Sequence, residues 1–81
     1  MVECYIHIKV KTGEGRIQRV LDILSSESAV VKRADVVEGP YDIIALVESK
    51  TRDEVSRHLV VDKLRGSPDV EDTLTMCVVP S

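Results

Sequence analysis

The chain has 81 residues, of which 43% are hydrophobic and 31% charged, and this is the balance of one small folded domain. Its net charge of −3 and its only two aromatic residues, Tyr5 and Tyr41, argue against direct binding of nucleic acid, which usually needs a basic surface and stacking side chains. The first residues do not form a secretory signal and no window is apolar enough to span a membrane, so we expect a cytoplasmic protein without a membrane partner.

The cysteine and histidine residues predict neither a metal site nor a cofactor. Cys4 and Cys77 lie near opposite ends of the chain, too few and too widely spaced to indicate a disulfide framework or a zinc site. We therefore expect free thiols. His7 and His58 have no further ligand at a spacing typical of metal sites.

The first part of the chain predicts a strand, a helix and a second strand. Apolar and polar residues alternate over residues 2–10, which is the period of a strand. On the polar side of this strand, Tyr5 and His7 are interpreted as dimer contacts rather than catalytic groups. After a glycine-containing link, residues 16–26 carry apolar side chains at the spacing of one helical face. Residues 29–38 form a valine-rich, β-prone run with imperfect alternation.

The third predicted strand, residues 42–48, is the strongest indication of assembly, because it is apolar without interruption over residues 43–47. A Gly-Pro-Tyr-Asp turn at residues 39–42 connects it to the preceding strand as a hairpin. Two helices can cover only one face of a small sheet, so a strand that is apolar on both faces implies a further cover. The simplest candidate is the sheet of a second subunit.

A second helix and a fourth strand complete the chain. Thr51 and Glu54 have the spacing of a capping box at the start of a helix over residues 52–65. The apolar residues of this helix spread over a wide arc, so we expect part of it to contact a neighbouring subunit. A Gly-Ser-Pro sequence at residues 66–68 ends the helix, and residues 70–79 alternate as a strand.

The predicted order β-α-β-β-α-β gives an α+β fold of the ferredoxin-like type. It has a four-stranded antiparallel sheet with two helices on one face, and the first and fourth strands lie side by side. The alternation in the last strand places Thr73, Thr75 and Cys77 on the face away from the helices, whereas Cys4 points toward the helices. The two thiols should then not meet within one subunit.

Four sequence features occur in an informative order. They are the Gly39-x-Tyr41-Asp42 turn before an apolar strand, a helix that ends in Lys63-Leu64-Arg65, a Pro68-x-Val70 restart and Thr73-x-Thr75 in the last strand. Together they span nearly the whole chain and resemble the effector-binding (RAM) domain of Lrp/AsnC-type transcriptional regulators. The resemblance implies that residues 1–81 form a single ligand-binding domain. Because the first strand begins at Val2, we expect a stand-alone version without the helix-turn-helix that precedes this domain in the family.

The resemblance also implies how the protein assembles and what it binds. Family members pair through the open faces of their sheets as a dimeric α/β barrel, and the dimers gather into rings. We therefore expect a homodimer that assembles into an octamer or decamer and can co-assemble with full-length Lrp/AsnC-type regulators. The expected function is to sense a small molecule, usually an amino acid in this family, between dimers near the central turn, without a DNA-binding domain of its own.

Carried over by position, the resemblance implies that Gly39, Tyr41, Asp42, Thr73 and Thr75 lie at the effector pocket. The chemistry of these residue types is suitable. A free amino acid needs a carboxylate or carbonyl for its ammonium group, and hydroxyl or backbone N–H donors for its carboxylate.

Two residues depart from the family pattern. Pro40 removes one backbone N–H from the turn, which reduces the backbone contacts available to a ligand. Asp69 stands where the family commonly has glycine, although aspartate can also adopt the left-handed conformation of a glycine.

Two other functions are compatible with this fold. Small cofactor-independent enzymes of the monooxygenase type share the dimeric α/β-barrel architecture, but this chain lacks aromatic residues for an aromatic substrate, and no acid–base set stands out by its spacing. An ACT-like amino-acid-binding regulatory domain has the same element order and a glycine-containing loop after its first strand, which Gly13 and Gly15 fit. The turn and the Thr-x-Thr pattern favour the Lrp-type interpretation, and we expect no enzymatic activity.

Overall fold

The computed structural model of the protein describes residues 1–80. Its elements are β1 (Val2–Val10), α1 (Arg16–Ser26), β2 (Val31–Val36), β3 (Ile43–Ser49), α2 (Glu54–Leu64) and β4 (Val70–Cys77). The strands form one antiparallel sheet in the order β2-β3-β1-β4, so the first and last strands are neighbours. This confirms the predicted ferredoxin-like α+β fold.

The hydrophobic core lies between one face of the sheet and the two helices. Successive residues of a strand point to opposite faces, and every second residue is buried on the helix side, from Cys4 onward in β1 and throughout β3. The main buried residues are Cys4, Ile6, Ile8, Ile43, Ala45 and Val47 from these strands, and Val20, Leu24, Val55, Leu59, Val60 and Leu64 from the helices. Neither helix within residues 1–80 is long and apolar enough to cross a membrane.

The opposite face of the sheet, which we call the open face, is also apolar. Its apolar residues are Tyr5 of β1, Ile44 and Leu46 of β3, and Leu74 and Met76 of β4. Tyr5, Leu74 and Met76 each keep at least 40% of their surface exposed. The structure therefore confirms that β3 carries apolar residues on both faces.

The second helix has a wider turn than an α-helix. The backbone N–H of Arg65 donates to the carbonyl of Val60, five residues earlier, at 2.7 Å, which is the π-type pattern. The buried residues of α2 are Val55, Leu59, Val60 and Leu64. Successive turns contribute them at intervals of four to five residues, so they fall on one side of a helix whose turn exceeds about 3.6 residues. The helix type therefore accounts for these four residues of the apolar arc, whereas Val61 stays 54% exposed. A contact of this helix with a neighbouring subunit stays a prediction.

The predicted capping box at the start of α2 forms with one change of partner. Thr51 Oγ1 accepts a hydrogen bond from the backbone N–H of Glu54 at 3.2 Å. The Glu54 carboxylate accepts from the hydroxyl of Ser49, and from the backbone N–H of Lys50 at 3.3 Å instead of that of Thr51. The hydrogen bond from Ser49 holds the pKa of Glu54 below its ordinary value.

Cys4 and Cys77 form a disulfide, so the expectation of free thiols is wrong. The two residues lie directly opposite each other in the β1–β4 register, and opposite residues of neighbouring strands share a face. Cys77, Thr73 and Thr75 therefore face the helices with Cys4, and the predicted orientation of β4 is also wrong. The reason is that both faces of this sheet are apolar, so hydrophobicity along β4 does not identify the side that packs on the helices.

Asp69 links the loop before β4 to the start of α1. It is 5% exposed, and its carboxylate accepts from Arg16 Nη1 at 3.1 Å and from Arg19 Nε and Nη2, both at 3.0 Å. The hydrogen bond from Arg19, together with the charges of Arg19 and Arg16, lowers the pKa of Asp69, while burial acts in the opposite direction. Within residues 1–80 only glycines have positive φ, so Asp69 is an ion-pair partner and not a left-handed substitute for glycine.

We expect Asp69→Asn to lower the melting temperature at neutral pH and to reduce the loss of stability in acid. Because the folded-state pKa of Asp69 is lowered, its ionised form stabilises the fold above the ordinary pKa of 3.8, and this contribution disappears as pH falls through the folded-state value. Thermal unfolding measured from neutral to acidic pH tests this. Asp62→Asn, at an exposed position on α2, is the control. Equal melting temperatures for the two variants would contradict the role given to the ion pairs.

Candidate functional site

The connection between β2 and β3 is fixed against the end of β1. The Val37 N–H donates to the carbonyl of Asp42 at 2.9 Å across the turn. The Asp42 N–H donates to the carbonyl of Ile8 at 2.9 Å, and Asp42 Oδ2 accepts from the backbone N–H of Val10 at 2.8 Å. Lys9 Nζ lies 3.7 Å from the same oxygen. The predicted site residue Asp42 is thus already engaged within the chain, where it positions the turn.

Gly39 gives the turn its shape. Its φ of 145° lies in a region that residues with a side chain rarely adopt. No atom lies within 4 Å of the position that a Cβ would occupy, so the requirement for glycine comes from the backbone and not from crowding. Pro40 follows with its φ fixed by the ring. Together these residues lead the chain back across the end of the sheet.

Tyr41 packs against His7 at the edge of the open face. The ring centroids are 5.4 Å apart and the ring planes meet at 86°, which is an edge-to-face contact. His7 pairs across the sheet with Ile44. The turn and these residues surround a cavity of about 340 Å³, which we call the turn pocket. Its lining residues are His7, Val37, Glu38, Gly39, Pro40, Tyr41 and Ile44.

The turn pocket combines polar groups with an apolar wall. Glu38 offers a carboxylate, His7 an imidazole and Tyr41 a hydroxyl. Val37 and Ile44 belong to the apolar part of the lining. A mostly apolar cavity with a few convergent polar groups is typical of a small-molecule site. The lining therefore suits a small molecule that combines charged or polar groups with an apolar portion.

The two threonines predicted for the site lie elsewhere in the chain. Thr73 is buried opposite Ile8 on the helix side of the sheet, and its Oγ1 accepts from Arg65 Nε at 3.1 Å. Thr75 lies opposite Ile6 on the same side. The structure thus brings Gly39 and Tyr41 together in one pocket and leaves the threonines on the other face of the sheet. A ligand contact of Thr73 or Thr75 stays a prediction.

His7 and Glu38 line the pocket but were not predicted as site residues. The sequence indicated that His7 lies on the open face, yet its proximity to the turn depends on the β1–β3 register, which pairs it with Ile44. For Glu38, the one sequence signal for a place in the pocket was its position directly before Gly39 and the predicted turn.

A larger groove of about 470 Å³ lies between α1 and β2. Three of its polar side chains are already paired, since Gln18 Nε2 donates to Asp22 at 2.9 Å, Lys32 Nζ to the carbonyl of Ala29 at 3.1 Å and Arg33 Nε to Asp35 at 2.8 Å. None of the predicted site residues lines it. We therefore regard the smaller turn pocket as the candidate site.

Solved structures of other proteins share this fold, whereas no family model and no curated protein matches the sequence. FFRP-DM1 is 32% identical with a TM-score of 0.81, and the match covers 98% of this chain and 100% of that one. AsnC of E. coli is 22% identical with a TM-score of 0.72, over 99% of this chain and 52% of AsnC. The transcriptional regulator NMB0573 of Neisseria meningitidis, solved as its L-Met complex, is 15% identical with a TM-score of 0.85, over 98% and 50% of the two chains.

These matches differ in what they show. At 22% and 15% identity, AsnC and NMB0573 share the fold with this chain, which spans about half of each regulator. FFRP-DM1 is more similar and is matched over its full length. The fold, the Gly-x-Tyr-Asp turn beside its pocket and the full-length match to FFRP-DM1 all indicate the same family. The chain belongs to the Lrp/AsnC family, as an effector-binding domain of the regulator type.

Proposed function

We propose that the chain is an amino-acid-sensing and oligomerisation module of the Lrp/AsnC type, which works in the cytoplasm and is not an enzyme. The observation that carries this proposal is the turn pocket, where Glu38, His7 and Tyr41 surround a cavity with an apolar wall. The L-Met complex of NMB0573 supports an amino acid as the ligand class, because that regulator has the same fold. Residues 1–80 contain no helix-turn-helix, since two strands separate the helices.

The pocket matches the chemistry of a free amino acid. The Glu38 carboxylate can accept hydrogen bonds from an ammonium group, and His7 and Tyr41 can donate to a carboxylate. Val37 and Ile44 then contact an apolar side chain of the ligand. This assigns the polar specificity to His7, Glu38 and Tyr41, with Gly39 as the residue that shapes the turn.

The open face is proposed to be the dimer interface. Its five apolar residues are not covered by either helix, and an 81-residue chain buries only a small core of its own. A second copy that packs face to face would cover them and form the dimeric α/β barrel of the family. Further contacts between dimers would then give the octamer or decamer. Because the turn pocket opens at the edge of this face, the second copy would also border the pocket.

Co-assembly with full-length regulators is proposed to use the same face. AsnC carries a domain of this fold in about half of its chain. A regulator that presents a similar sheet face can pair with this chain in place of a second copy. The ligand state of the turn pocket would then reach the regulator through the shared interface.

We expect at least one of the standard amino acids to raise the melting temperature, because a ligand that binds only the folded chain stabilises it by about 2.7 kcal/mol at a concentration of 100 times its dissociation constant. Tyr41→Ala should remove most of this shift, since the ring forms one wall of the turn pocket. Ser28→Ala, in the groove between α1 and β2, is the matched control and should keep it. A thermal-shift screen with all three proteins provides the measurement. Equal shifts in wild type and Tyr41→Ala would place the ligand elsewhere.

A further inference from the structure

We propose that the Cys4–Cys77 pair is a reversible redox site that controls association through the open face. This inference rests on the assembly proposed above. The disulfide joins the start of β1 to the end of β4, and β4 is an edge strand with β1 as its single neighbour. The site would take a dithiol reductant as its reaction partner.

The two cysteine residues differ in their exposure to solvent. Cys4 is fully buried, whereas Cys77 is partly exposed on the edge strand. A thiolate of the reductant therefore attacks Cys77 Sγ, the bond between the two cysteines breaks, and Cys4 leaves as a thiolate that takes up a proton. The second thiolate of the reductant then displaces Cys77, which is protonated in turn. The protein gains two electrons and two protons, and the dithiol becomes a disulfide.

Reduction would loosen the end of β4. Without the disulfide, this end is held by backbone bonds to one neighbour, such as the 2.8 Å bond from the Val78 N–H to the Glu3 carbonyl. Residues 78–80, which follow β4, have no regular structure. An edge strand with one partner and few further contacts opens more easily than the centre of a sheet.

Release of the end of β4 affects the open face through Met76, the residue before Cys77. Met76 points to the open face, where it lies opposite Tyr5 of β1. When the strand end opens, Met76 leaves the surface that a second copy would cover, and association weakens. The turn pocket lies near the other end of β1, where Asp42 bonds to Ile8 and Val10, so it should keep its geometry.

Sedimentation of the full chain under oxidising and reducing conditions tests this proposal. Thiol titration establishes the redox state, and circular dichroism establishes that the chain is folded. We expect dithiol treatment to raise the dissociation constant of the dimer by about tenfold or more, which corresponds to about 1.4 kcal/mol. The double variant Cys4→Ala/Cys77→Ala should have the dimer dissociation constant of the reduced wild type, with or without the dithiol.

Three results would each contradict a different part of this proposal. Equal dissociation constants for oxidised and reduced wild type would overturn the redox role and leave the proposed assembly intact. A monomeric oxidised protein would overturn the assembly, and hydrogen exchange over residues 74–78 would then decide whether reduction releases the strand end. Unfolding of the whole chain on reduction would also overturn the proposal, which requires local release in a folded protein.

Discussion

Reduction of the Cys4–Cys77 disulfide is expected to lower the free energy of unfolding by about 4 kcal/mol. The cysteines are 73 residues apart, so the bond closes nearly the whole chain into one loop and strongly restricts the unfolded state. Folded domains have a total stability of roughly 5–15 kcal/mol, so the reduced chain should remain folded with a much smaller margin. Denaturant unfolding with and without a phosphine reductant, at one protein concentration, measures the difference.

The matched control for this experiment is the Cys4→Ala/Cys77→Ala variant. It has no bond to reduce, so its unfolding free energy should be the same with and without the reductant, and close to that of the reduced wild type. A wild-type value that does not change on reduction would contradict a stabilising cross-link between β1 and β4.

Leu46→Glu is expected to separate the dimer without unfolding the subunit. Leu46 lies on the open face between Arg33 of β2 and Tyr5 of β1, where a charged side chain is tolerated in a monomer but must lose water in a face-to-face dimer. A symmetric dimer carries the substitution twice, and loss of about 1.5 kcal/mol at each copy weakens association by about 3 kcal/mol, or roughly a hundredfold. Light scattering over a range of protein concentrations measures this.

Ile17→Glu provides the comparison for the dimer prediction. Ile17 is a partly exposed apolar residue of α1, on the opposite side of the subunit from the open face, so this variant should associate like the wild type. Circular dichroism must show that both variants are folded. Equal association of Leu46→Glu and wild type would show that the open face is not the interface.

The sequence predicted most of the fold because its periodicities are clear. The bounds of β1 and α1 are as predicted, since strict alternation defines the strand and apolar residues at one helical spacing, after Gly13 and Gly15, define the helix. The order of the remaining elements followed from the turn at residues 39–42 and the break at residues 66–68. Sequence-local signals were sufficient for these features.

The orientation of β4 could not be predicted from hydrophobicity. Leu74 and Met76 are more apolar than Thr73 and Thr75, yet they lie on the open face, because the register with β1 sets Cys77 opposite Cys4. The disulfide was missed for the same reason. The π-type turn of α2 was also missed, since a period of more than four residues resembles a poorly ordered α-helical pattern.

The candidate site was predicted in part. Turn chemistry and the family resemblance identified Gly39 and Tyr41, which line the pocket. His7 lies more than thirty residues earlier in the chain and meets Tyr41 only because β1 pairs with β3. A sequence alone does not fix that register. For the same reason, the sequence does not show that the Asp42 carboxylate accepts a hydrogen bond from the backbone N–H of Val10.

Hydrogen exchange of the wild-type protein, with and without the amino acid that raises its melting temperature most, tests ligand sensing by the turn pocket directly. We predict slower amide exchange over residues 37–44 and at His7 when the ligand is present, because these residues form the pocket. Slower exchange confined to residues 18–34, which include the groove between α1 and β2, would contradict this assignment, as would an unchanged exchange pattern.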